Sequence, residues 1–164
     1  MLSFFGAGYL RPAPGTWGSL AALPAAWVLF ALGGPVALLI GIGAFYAVGI
    51  VLTREETTHG DDHDPSWIVI DEVVGQWLAL MPVAYGAWAA QVPVLELWPG
   101  IIAGFLLFRV FDIWKPWLVG RADRRGDATG VMLDDVWAGI FAAVVVVALA
   151  ALAHQGFVSM VPDQ

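Results

Sequence analysis

The sequence predicts an all-α, polytopic, membrane-embedded bundle of about four to five membrane helices, and three observations carry that prediction. Hydrophobic residues make up 60% of the chain and charged residues only 13%, with a mean hydropathy of +0.78; soluble domains have roughly 45–50% and 25%. The apolar runs are long, and Gly, Pro or charged stretches separate them. Strands are excluded as spanning units, because a lone strand leaves its backbone groups unpaired in hydrocarbon whereas a helix satisfies its own. At 164 residues the chain reads as a single domain over residues 1–164.

The opening MLSFFGAGYLRPAPG lacks a basic region followed by an apolar core and a cleavage site, so it reads as an uncleaved start. Its last residues, RPAPG, hold the chain extended, and Gly15 begins a turn. Ser19 to Leu32 is a first apolar segment with Pro24 inside it. It is short against the roughly 20 residues a crossing needs, so a re-entrant helix competes with a crossing. Gly33-Gly34-Pro35 is a break, and Val36 to Thr53 is a better spanning helix. The polar loop Arg54 to Ser66 follows, with His59 and His63 reading as solvated residues rather than metal ligands. Asp64 and Pro65 form a cap and first-turn pair, which predicts a third helix from there to about Ala90 with a bend at Pro82. Residues 91–99 connect it to a fourth helix over Gly100 to Lys115, which Pro116 ends. A loop from Gly120 to Gly130 carries Arg121, Arg124 and Arg125, and a fifth helix runs from about Leu133 to Ala153.

If all five segments cross, Arg11, Arg54, Lys115 and the three loop arginines fall on one side, and the other side has no Lys or Arg. The positive-inside rule then makes the first side cytoplasmic. The absence of Cys excludes disulfides, thiolate metal sites and a cysteine nucleophile, and a net charge of −7 argues against a nucleic-acid partner.

The same topology gathers the polar motifs at one membrane face. DPSWIVIDEVVGQW places Asp71 and Glu72 side by side in an apolar segment, and GVMLDDVWAG does the same for Asp134 and Asp135. Successive helical residues lie about 100° apart, so each pair can border one inter-helical cleft. With Asp112 they offer five carboxylates, whose repulsion is tolerable with a cation present; an oxygen-only donor set suits Mg²⁺. The alternative is that Asp134 or Asp135 merely caps the fifth helix and that Asp71 or Glu72 pairs with Arg109. In FRVFDIWKPW, Arg109, Asp112 and Lys115 recur every third residue and share a helix face. They read either as a phosphate clamp or as an ion-pair ladder with Lys115 snorkelling to the headgroups. In GTWGS, Gly15, Thr16, Gly18 and Ser19 open the first helical stretch and read either as a turn and cap or as an anion cradle.

Taken in order, PGTWGSLAALP, DPSWIVIDEVVGQW, FRVFDIWKPW and GVMLDDVWAG closely resemble the phosphatidylglycerophosphatase A family, over about Pro14 to Ile140. The resemblance implies a Mg²⁺-dependent lipid phosphatase of the bacterial inner (cytoplasmic) membrane. Its substrate would be phosphatidylglycerophosphate, its products phosphatidylglycerol and inorganic phosphate, and its site would face the cytoplasm. It places the acidic motif positions on Asp71, Glu72, Asp112, Asp134 and Asp135 and the basic ones on Arg109 and Lys115. Asp71 or Glu72 would act as general base for water, while Arg109, Lys115 and the GTWGS backbone would hold the phosphate; a phospho-enzyme route stays open, as does the oligomeric state. A competing reading is a small cation- or proton-coupled transporter, which would spread its carboxylates across the membrane depth in pseudo-symmetric halves. No internal repeat supports it.

Overall fold

The computed structural model describes residues 1–59 and 67–160, with the side chains of 57–59 and 156–160 left out. Among the described residues there are five α-helices: α1 (Pro14–His59), α2 (Ile70–Ala90), α3 (Trp98–Trp114), the short α4 (Leu118–Asp123) and α5 (Ala128–Met160). No strand occurs among the described residues. Four of these helices are long and apolar enough to cross a membrane.

At 46 residues α1 would reach about 70 Å if straight. It is instead a hairpin of two arms. Gly34 at its apex has φ 63° and ψ −154°, a combination open to glycine, and Pro35 starts the second arm. The arms close on each other across this turn. A Cβ on Gly41 would lie 2.7 Å from the Leu29 side chain, although twelve residues separate the two. The first arm, residues 14–32, is about 28 Å long, close to the hydrocarbon thickness.

The central column is α2, the most buried of the four long helices. Both arms of α1 pack on its Trp77. The indole N–H donates to the carbonyl of Ala22 at 2.9 Å, and the ring lies 4.9 Å from Phe45 centroid to centroid. On its other side α2 meets α3 and α5 through small residues. A Cβ on Gly104 would stand 3.3 Å from the carbonyl oxygen of Ala79, and one on Gly139 only 2.4 Å from that of Gly75. In lipid, helices gain little from hiding apolar surface, so close backbone approach of this kind supplies the packing.

Several boundaries differ from the sequence expectation, each for a local reason. The helix expected from Asp64 begins at Ile70; Asp64, Pro65 and His63 lie outside the described residues. Val69 is non-helical, with φ −137° and ψ 14°, and its N–H donates to the carbonyl of Leu2 at 2.9 Å. The N-terminal segment is therefore part of the core. Leu2 and Phe4 are buried, and Phe4 packs edge-on against Trp77. Helix α3 starts at Trp98, with Pro99 in its first turn. It ends at Trp114, because Lys115 turns left-handed with φ 49° ahead of Pro116. The arginine-bearing loop contains α4. The fifth helix starts at Ala128, five residues before expectation. Its cap is Asp127, whose Oδ1 accepts the N–H of Gly130 at 2.6 Å. Asp134 and Asp135 thus lie in the second turn and do not cap the helix.

The α2–α5 approach is directly testable. Gly139→Ala sets a side chain against a backbone oxygen that cannot rotate away, and overpacking of this kind costs about 1–3 kcal/mol. A lowered unfolding temperature in detergent is expected for Gly139→Ala. Gly43→Ala, where nothing lies within 4 Å of the added carbon, is expected to unfold like the wild type.

Candidate active site

Four helix ends bring the polar motifs together around one cavity of about 370 Å³. The first turn of α2 supplies Asp71 and Glu72, where the positive end of the helix dipole favours carboxylates. The second turn of α5 supplies Asp134 and Asp135, the last turn of α3 supplies Arg109 and Asp112, and Lys115 follows at its cap. Gly15, in the first turn of α1, borders the same space. Its missing side chain matters, since a Cβ there would stand 2.3 Å from Oε1 of Glu72 and 3.1 Å from Arg109 Nη1.

Within the cavity the carboxylates divide into two kinds. One oxygen each of Asp71, Glu72 and Asp135 lies within 4.8 Å of the other two, and Asp71 and Asp135 are buried. Neither carboxylate oxygen of Asp135 meets a hydrogen-bond donor among the described residues, nor does Oε2 of Glu72. Buried acceptors without donors, all oxygen and all acidic, form the donor set a hard divalent cation requires. The residues present therefore fit such an ion. Asp112 and Asp134 border the same cavity and have cationic partners. Asp112 is ion-paired with Arg109 three residues before it. Asp134 accepts from Lys115 Nζ at 2.9 Å and from the backbone N–H of Asp135 at 3.0 Å.

Lys115 does not continue the helix face of Arg109 and Asp112. Its left-handed backbone swings the side chain to bridge Asp134 on α5 and Asp123 on α4. Partial burial pushes its pKa down, but hydrogen bonds to Asp123 and Asp134 and their charges outweigh that, and the net shift is upward. Asp123 is a cavity residue that sequence reasoning passed over. It lies eight residues from Lys115 across a left-handed turn, and no periodic pattern connects them. Gln76 was passed over too. It is fully buried one turn below Glu72, and its amide meets no protein partner among the described residues.

Of the GTWGS residues, Gly15 borders the cavity and Thr16, Gly18 and Ser19 stand off it. A Cβ on Gly18 would lie 2.7 Å from Val69, and the buried Ser19 hydroxyl donates to the carbonyl of Gly15 at 2.8 Å. The motif is itself the first turn of α1, so the N–H groups of Gly15 and Thr16 have no acceptor within the helix. The His59 side chain and His63 lie outside the described residues.

Known proteins resemble the chain over most of its length. Residues 1–150 match the family described as Phosphatidylglycerophosphatase A. A Phosphatidylglycerophosphatase A of Haemophilus influenzae is 39% identical over 146 residues, covering 88% of this chain and 83% of that protein. The Escherichia coli protein of the same name is 34% identical over 147 residues, covering 85% and 75%. A Bacteroides thetaiotaomicron protein, named provisionally as a phosphatidylinositol-3-phosphatase, is 34% identical over 153 residues, covering 87% and 86%. No solved structure matches the chain. With a match over most of its length and relatives above 30% identity, the chain belongs to the phosphatidylglycerophosphatase A family.

Proposed function

We propose that the chain is a Mg²⁺-dependent phosphoric monoester hydrolase that removes the terminal phosphate of phosphatidylglycerophosphate, giving phosphatidylglycerol and inorganic phosphate. The observation that carries this reading is the meeting of Asp71, Glu72 and Asp135 oxygens, without protein donors for Asp135, beside two cationic side chains in one cavity at the helix ends. The names of the Haemophilus and Escherichia relatives support the substrate. Clustering at one end of the helices speaks against a transporter, which needs carboxylates along the path. The position also suits a lipid headgroup, which lies at the level of helix ends. The basic residues Arg11, Arg54, Arg121, Arg124 and Arg125 belong to the same end by topology, so the site faces the cytoplasm in an inner membrane.

Asp71, Glu72 and Asp135 would hold Mg²⁺. A bound divalent ion there neutralises charge on the phosphoryl oxygens and makes a water more acidic. The chain's own groups do the rest. Arg109, held by Asp112 at the cavity wall, presents its remaining N–H groups to phosphate oxygens in a planar fork. The N–H of Gly15, at the positive end of α1, adds a donor at the border of the same cavity. Lys115 serves as a fixed charge rather than a proton donor, since its two acceptors keep it protonated. Glu72, whose Oε1 lies at the Gly15 edge of the cavity, takes the proton of the attacking water. The water oxygen bonds to phosphorus as the phosphorus–oxygen bond to the glycerol breaks, the glycerol oxygen takes a proton from solvent, and inorganic phosphate leaves.

Phosphate release by the purified protein in detergent is expected to stop with EDTA and return with Mg²⁺. Asp135→Asn is expected to cost at least about 100-fold in kcat, comparable to removing one main electrostatic stabiliser of a transition state. Asp134→Asn, which keeps a hydrogen-bond partner for Lys115, is expected to cost less. Release indifferent to both EDTA and Asp135→Asn would sink the proposal. Phosphatidylinositol 3-phosphate in a parallel assay separates the two headgroups that the relatives' names suggest.

Lys115 supplies a pH test. Its folded pKa is raised above the ordinary 10.5, so the stability it contributes is complete below that value and is lost only at still higher pH. The difference in unfolding temperature between wild type and Lys115→Gln is expected to stay constant from pH 7 to about pH 10. A difference that shrinks across that range would contradict the bridge to Asp123 and Asp134.

A further inference from the structure

The first arm of α1 and helix α3 touch only sparsely, and α2 packs against both. Two separate cavities lie along these three helices. The polar one is at the helix ends. A second, of about 280 Å³ and almost wholly apolar, lies further along the same helices. Leu23, Trp27 and Phe30 of α1, Leu80 and Ala84 of α2, and Ile101 of α3 form its walls.

Three helices independently give the distance between the two. From Gly15 to Leu23, from Glu72 to Leu80 and from Arg109 to Ile101 there are eight residues each, about 12 Å of helix. Ala84 and Phe30 extend the cavity by a further turn or more. Half the hydrocarbon thickness is about 15 Å, so an apolar cavity at this depth lies where the lower part of an acyl chain runs when its headgroup is at the polar end.

We propose that the apolar cavity seats one acyl chain of the lipid phosphate substrate whose phosphate occupies the polar cavity. The inference rests on the lipid phosphatase reading above and adds that the fold measures the chain as well as the phosphate. Holding the tail positions the phosphate, so chain binding is expressed in kcat/KM.

The test compares phosphate release from dihexanoyl and dioleoyl phosphatidylglycerophosphate in mixed micelles. The wild type is expected to favour the long chain at least tenfold in kcat/KM. Ile101→Trp, which fills the cavity from a partly exposed position, is expected to remove most of that preference while short-chain turnover stays within twofold. Trp27→Ala changes an exposed side chain and widens the cavity; it is expected to shift the preference toward bulkier chains. Variants that unfold at the wild-type temperature yet keep the wild-type chain preference would overturn the seat alone. Release from neither substrate by the wild type would overturn the reaction itself, and the seat with it.

Discussion

The structure depends on keeping three carboxylates close together in a protein that has little water to offer them. Asp71, Glu72 and Asp135 come from two helices, and their repulsion works against the packing that joins those helices. That packing is correspondingly tight. Gly75 lies under Phe108 and the backbone of Asp135, and Gly139 lies against Gly75, so α2 and α5 meet at backbone contact one turn below the acids. Side chains larger than hydrogen at either glycine would separate the carboxylates as well as the helices. The cations are placed around this centre rather than in it. Arg109 is tied to Asp112 and Lys115 to Asp123 and Asp134, and among the described residues both oxygens of Asp135 and Oε2 of Glu72 meet no hydrogen-bond donor.

The burial of α2 follows from the same demand. A helix carrying two acids at its first turn cannot show that turn to lipid. The α1 hairpin, α3 and α5 surround it, and the N-terminal segment closes the remaining side with Leu2 and Phe4. The outer helices can afford broad lipid-facing surfaces. Trp114, Trp117, Leu32 and Ile113 are all strongly exposed, a cost in water but not in hydrocarbon.

Much of this was legible in the sequence, and the parts that were not share a cause. The apolar runs and the Gly33-Gly34-Pro35 break located the helices, and the paired acids singled out two of the helix ends. Periodicity added little, because α1 and α5 are apolar on nearly every face and carry almost no amphipathic signal. The start of α5 was therefore placed at its acids rather than at Asp127, whose role depends on a single side-chain hydrogen bond to Gly130. Lys115 looked like the next rung after Asp112 because spacing cannot reveal a left-handed residue that is not glycine. The turn there brings in Asp123, which no local pattern connects to the site. In GTWGS the residue types suggested a cradle made by all of them. Only tertiary packing separates Gly15, pressed on Glu72, from Gly18, pressed on Val69.

The charges around the cavity give the metal reading a basis independent of any family likeness. Six carboxylates border it, from Asp71, Glu72, Asp112, Asp123, Asp134 and Asp135, against the two cations Arg109 and Lys115. A phosphomonoester brings further negative charge to a place already in large anionic excess, and of the cations only Arg109 has N–H groups not committed to carboxylates by its neighbours' geometry. An anionic substrate enters such a site only if positive charge enters with it or before it. Three converging acidic residues with donor-free oxygens at Asp135 are where that charge would be held. The alcohol carried by the phosphate touches none of this balance.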